Sequence, residues 1–119
     1  MGTATLIDWT QLDLIRRECG SEAALIFADL VGEFDGQFQN FTKLVEIGDP
    51  TGVSRLAHQI KGSTSSFGFL AFAHLMRDIE ARTKSGGPVP TPEELATARQ
   101  LFNDSVALIH QERPDLNPA

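Results

Sequence analysis

Apolar positions recur along this chain at steps of three and four residues, the spacing of helices that bury one face. Trp9, Leu12, Ile15 and Cys19 form a first short set. Asp8 can cap it, Gln11 can close a capping box and Ile7 can staple onto Leu12, while Gly20 ends the turn. Ser21 then reads as the cap of a long helix with the seam Phe27, Val31, Phe34, Phe38, Phe41 and Val45, ended by Gly48. Asp49-Pro50 restarts the chain as cap and first helical residue, and the spacing predicts a third helix over roughly Pro50 to Ser66. From about Phe69 the period resumes with Phe72, Leu75, Met76 and Ile79, and Gly86-Gly87-Pro88-Val89-Pro90 breaks it. Thr91-Pro92-Glu93-Glu94 is the strongest helix start, leading into Leu95, Ala98, Phe102, Val106 and Ile109 until Arg113-Pro114. No alternating strand pattern is present. The expected fold is all-α, an antiparallel four-helix bundle with a short additional N-terminal helix. Residues 1–7 carry little pattern and are expected to be loosely ordered.

A length of 119 residues with 41% hydrophobic residues suits one domain spanning 1–119. The net charge of -6 opposes binding to nucleic acid or an anionic membrane surface. An apolar run of about 18 residues and a signal-peptide order are both absent, so a cytoplasmic location is expected. The single cysteine, Cys19, excludes an internal disulfide and reads as a small buried hydrophobe.

Chemistry concentrates in the third helix. Val53, Leu56, Ala57, Ile60 and Thr64 share one face, and His58 projects roughly 150° from its centre. Ser54, Lys61, Gly62 and Ser65 flank His58, with Arg55 at the margin. Lys61 at i+3 brings an ammonium near the imidazole, and Gly62 at i+4 removes a side chain that would crowd it. An uncharged imidazole nitrogen can attack an electrophilic phosphorus, and the N–P bond it makes is labile enough to pass the group on. His74 lies on a polar helix face and His110 in the last helical turn, where the helix dipole favours a cation. Neither has a partner at a metal-ligand spacing, so no metal site is expected.

The run His58-Gln59-Ile60-Lys61-Gly62-Ser63-Thr64-Ser65-Ser66-Phe67-Gly68 resembles the signature of histidine-containing phosphotransfer domains, the intermediates of multistep two-component phosphorelays. The pattern is His-x-x-Lys-Gly with a second glycine ten residues after the histidine, and it is especially similar to the stand-alone plant forms, where serines fill the same gap. Phe69 departs from the small residue common in the family at that point. The resemblance implies that His58 is phosphorylated, that Lys61 pairs with the phosphoryl group, and that Gly62 and Gly68 keep the ring accessible. Some family members hydrogen-bond the other ring nitrogen to a glutamate on the next helix. Folding back about residue 68 makes Glu80 the candidate, with Arg77 beside it.

The implied partners are response-regulator receiver domains and a hybrid histidine kinase, with no nucleic acid and no membrane. The chain is expected to act as a monomer and a stoichiometric carrier, without an intrinsic cofactor and without kinase activity. Magnesium is expected from the receiver. Nothing here matches a Gly-x-x-x-x-Gly-Lys nucleotide loop. Ile15, Ile26, Leu30, Arg55 and Ser65 are the candidate docking residues. Two alternatives stay open: a phosphoacceptor module of a larger histidine kinase, or an adaptor that binds receivers without transferring phosphate. The methionine start and the ending Asn117-Pro118-Ala119 suit an independent product better.

Overall fold

Caps and periodicity together place the helices. The structure, a computed structural model, describes residues 5–117. It consists of α1 (Trp9–Cys19), a 3-10 turn (Gly20–Glu22), α2 (Ala23–Glu46), α3 (Pro50–Ser66), α4 (Leu70–Lys84), α5 (Pro92–Glu112) and a final 3-10 turn (Pro114–Leu116). Three starts follow the local chemistry. Asp8 accepts from the Gln11 backbone, Asp49 accepts from the Gly52 backbone, and Thr91 and Glu94 form a reciprocal capping box. The Gln11 side chain does not close a box on Asp8 and donates instead to the Ser66 carbonyl at 3.1 Å. Ser21 does not cap α2. Gly20–Glu22 already winds as a 3-10 turn, so the chain runs into α2 without the extended residue that a side-chain cap requires.

Helices α2 to α5 make the four-helix bundle, and α3 packs most extensively on α4 and next on α2. Phe27, Phe34, Phe41, Phe72, Ile60, Met76, Ile79 and Ile109 are fully buried along the predicted seams. The aromatic centre ties α2 to α5, with the Phe34 and Phe102 rings stacked at 3.5 Å between centroids and Phe72 edge-on to both. Cys19 is only half-buried, packed against the core's margin.

Helix α1 and its lead-in close the end of the bundle where α3 turns into α4. Residues 1–7 were expected to be loose; 1–4 lie outside the described residues, but Leu6 and Ile7 are tied down. The Leu6 carbonyl accepts from the Leu70 and Ala71 amides, which have no partner within α4, and Ile7 is buried and bridges Phe69. Phe69 is also fully buried, its ring against Phe27 and Phe102, so a large residue after Gly68 fills the core here. The other side of α1 meets the end of α5 and the final 3-10 turn. Arg113 donates to both oxygens of Asp13 at 2.8 and 3.0 Å and lies over the Trp9 ring, and Arg16 bridges Asp13 and Asp115.

These pairs make a prediction about acid. The Arg113 guanidinium holds Asp13 below its usual 3.8, and the Arg82 guanidinium holds Glu94 below its usual 4.5. A carboxylate depressed on folding contributes stability above its unfolded pKa and loses it as pH falls through the folded pKa. Denaturation midpoints should therefore fall between pH 6 and pH 3, and a double Asp13→Asn and Glu94→Gln variant should lose less over that window than the wild type.

Candidate functional site

Helix α3 shows its apolar face to α2 and α4 and leaves its back free. Val53, Ala57, Ile60 and Thr64 are buried, and the His58 side chain is 66% exposed, as the helical projection requires. The register of α3 against α4 sets Glu80 opposite it. His58 Nδ1 and Glu80 Oε2 are 2.9 Å apart, and the Lys61 Nζ donates to Glu80 Oε1 at 2.8 Å. One carboxylate therefore joins the imidazole and the ammonium through its two oxygens.

Protonation follows from that arrangement. The hydrogen bond from Lys61, aided by the one from His58, outweighs partial burial and holds Glu80 below its usual 4.5. Glu80 is thus ionised near neutral pH and can only accept hydrogen bonds. The neutral imidazole must then carry its proton on Nδ1, which leaves the Nε2 lone pair as the available nucleophile. Glu80 is 16% exposed, enough shielding to strengthen both contacts.

Gly62 has the surroundings expected of it and Gly68 does not. A Cβ at Gly62 would meet nothing within 4 Å, so the surface one turn beyond His58 is open. Gly68 is buried with φ of 79°, and a Cβ there would come 2.6 Å from the Asp8 carbonyl oxygen. Its own carbonyl accepts from the Asp8 amide at 2.8 Å. The geometry gives Gly68 a structural role: it makes the α3–α4 turn and lets the α1 lead-in cross it. Lys61 is likewise bound to Glu80 rather than free.

The docking candidates separate into three places. Arg55 lines a depression beside His58 together with Ser54, Gln59, Glu80 and Lys84. Ser65 lies in a second depression on the other side, with Lys61, His74 and Arg77. Ile26 and Leu30 line a groove between α2 and the exposed edge of α3, next to Ser63 and Ser66. Ile15 packs against the core on α1. Lys84 was missed by sequence reasoning, although its i+4 spacing from Glu80 was a usable signal. His110 is partly buried, edge-on to Phe27, and His74 is exposed. Among the described residues no cluster of His, Cys, Asp and Glu could hold a metal ion, and no helix is long and apolar enough to cross a membrane.

Comparison with known proteins bears on this arrangement. No curated protein sequence matches the chain. Among solved structures, histidine-containing phosphotransfer protein B (HptB) from Pseudomonas aeruginosa PAO1 is similar, with a TM-score of 0.83 at 20% identity over 94% of this chain and 97% of that one. At that identity the likeness speaks for the fold. The model of the Hpt domain matches residues 26–112, from the first turn of α2 through the last turn of α5, and so takes in nearly all of the bundle, with His58, Lys61 and Glu80. With a bundle of that shape and a family match over most of its length, the chain belongs to the Hpt domain family, whose role is phosphotransfer in phosphorelays.

Proposed function

We propose that the chain is a phosphorelay intermediate that accepts a phosphoryl group at His58 Nε2 from the aspartate of one receiver domain and passes it to another. The observation that carries this reading is the contact between His58 Nδ1 and an ionised Glu80 on the neighbouring helix, because it turns the opposite nitrogen outward as a nucleophile. In the forward step Nε2 forms a bond to phosphorus while the bond from phosphorus to the aspartyl oxygen breaks, and the receiver's aspartate leaves as a carboxylate. The ring becomes positively charged as it attacks, and the Glu80 carboxylate at Nδ1–H stabilises that charge. No proton has to leave. Donation to the second receiver is the reverse sequence.

Lys61 starts on Glu80 and lies one turn from His58, in position to countercharge the phosphoryl oxygens once they arrive. Gly62 leaves room for a receiver to come close. Magnesium, in this reading, belongs to the receiver, since the one carboxylate at this site is already matched by an ammonium. The chain itself works as a stoichiometric carrier in the cytoplasm.

Mixing the protein with receiver domains phosphorylated in the presence of magnesium tests the proposal. Transfer of acid-labile phosphate to this chain, up to one per molecule, is expected; receivers that bind it but never transfer would favour an adaptor instead. Glu80→Gln should slow transfer roughly ten- to a hundredfold, the worth of a hydrogen bond to a charged group. Nitrogen NMR of the wild-type ring should show the Nδ1–H tautomer, and the variant should lose that preference.

A further inference from the structure

Three side-chain hydrogen bonds cross from α3 to α4 among the described residues, and all three end on Glu80. Two are those of His58 and Lys61 with its carboxylate. The third leaves the Ser54 hydroxyl and reaches the Glu80 backbone carbonyl at 3.3 Å. Ser54, His58 and Lys61 stand at i, i+4 and i+7, so one stripe of α3 holds one residue of α4 by both its main chain and its side chain. The rest of the contact is apolar: Val53, Ala57 and Ile60 are buried on α3, and Phe72, Met76 and Ile79 on α4. Apolar burial has no direction, so it does not by itself fix where a carboxylate comes to lie along the helix pair. The Ser54 bond is also unusual within this chain. Every other helical hydroxyl that donates, from Thr42 on α2 to Ser105 on α5, bonds back to a carbonyl of its own helix three or four residues earlier, as Ser and Thr ordinarily do. Thr64 and Thr83, buried in this same interface, do so too. Among the described residues Ser54 alone donates to a neighbouring helix.

We infer that Ser54 is a positioning residue for phosphotransfer: by holding the Glu80 main chain it sets the carboxylate against His58, and so fixes which ring nitrogen is free to react. The inference rests on the reading of His58 as the phosphoacceptor and adds to it the residue that anchors its orienting group. Glu80 needs such an anchor because it has a competing partner. Lys84 stands at i+4 from it on α4, the helical spacing that favours an ion pair, and lines the same depression. A tether on the Glu80 main chain keeps the carboxylate on the α3 side, where it meets His58 Nδ1 and Lys61. The 3.3 Å separation exceeds the roughly 2.8 Å usual for a hydroxyl donor, so losing the tether should cost less than losing the carboxylate itself.

Ser54→Ala removes the tether while placing a better helix former in α3, so the variant should fold at least as well as the wild type. Nitrogen NMR of the ring, with no receiver present, should nevertheless show a smaller share of the Nδ1–H tautomer. Transfer from a phosphorylated receiver should slow about fivefold, the worth of one neutral hydrogen bond. Ser54→Thr, which keeps the hydroxyl, should restore both readouts. Ser105→Ala, which removes a hydroxyl bonded only within α5, should leave tautomer and rate unchanged. In a Glu80→Ala background, with no carboxylate left to position, Ser54→Ala should slow transfer no further. An unchanged tautomer in Ser54→Ala overturns the inference, as does the same tautomer change in Ser105→Ala or a further fivefold loss in the Glu80→Ala background. The tautomer measurement needs no partner. A ring that responds to Ser54 in a protein that accepts no phosphate therefore supports Ser54 as the anchor of Glu80 and rejects the phosphoacceptor reading.

Discussion

A His58→Gln variant should take up no acid-labile phosphate from a phosphorylated receiver, a loss of at least about 10³-fold, while keeping its fold. The stability half of this expectation follows from exposure. His58 is 66% exposed and contributes nothing to the core, so its replacement should change stability by no more than about 0.5 kcal/mol. The activity half follows from the lack of a substitute. His74 has no carboxylate on its ring among the described residues, and His110 is packed edge-on to Phe27, so neither can replace the oriented nitrogen. Circular dichroism and thermal melting alongside the transfer assay separate the two halves. Undiminished uptake by the variant would move the nucleophile elsewhere.

The second large effect is on folding. Gly68→Ala should lower stability by about 3 kcal/mol, from the left-handed backbone together with the forced contact. At φ of 79° a side chain is strained before it meets anything, and here it meets the Asp8 carbonyl oxygen at 2.6 Å and the Leu12 Cβ at 3.2 Å. Neither can give way easily, because the Asp8 amide is bonded to the Gly68 carbonyl and Leu12 is fully buried. Gly62→Ala is the contrasting case. Its Cβ meets nothing within 4 Å inside a regular helix, so the variant should gain up to about 1 kcal/mol. Urea denaturation of the pair should give shifts of opposite sign. If Gly62→Ala is more stable and yet slower in transfer, the glycine serves the approach of a partner.

The contrast shows what the sequence could and could not reveal. Helices α3 and α5 start where Asp49-Pro50 and Thr91-Pro92 place them, because cap chemistry is local and the apolar period beyond it is long. The fold class followed from those periods. Contacts made between elements were not legible. The Leu6 carbonyl at the start of α4 and the crossing of Asp8 over Gly68 depend on where α1 lies, and no short pattern encodes that. The turn Gly20–Glu22 escaped for the opposite reason: Ser21 is a good cap residue in a backbone already helical.

At the site the same boundary holds. The exposure of His58 and the open flank at Gly62 could be read from one helix alone. The Glu80 candidate needed both a family resemblance and the fold-back about residue 68, and the structure places it at hydrogen-bond distance. That the second oxygen of Glu80 holds Lys61 depends on side-chain reach across two helices, whereas the i+3 spacing alone brings the lysine only near the imidazole. Lys84 stands one turn beyond Glu80 and gains meaning only when α3 and α4 are seen side by side.

The central claim is that phosphate arrives on Nε2 of His58 because Glu80 occupies Nδ1. The most direct measurement is nitrogen and phosphorus NMR on the protein labelled at its histidines and phosphorylated by a receiver. One phosphorus resonance coupled to Nε2 of His58 is expected, with Nδ1 still protonated. Phosphate on Nδ1 of His58, or on His74 or His110, would contradict it.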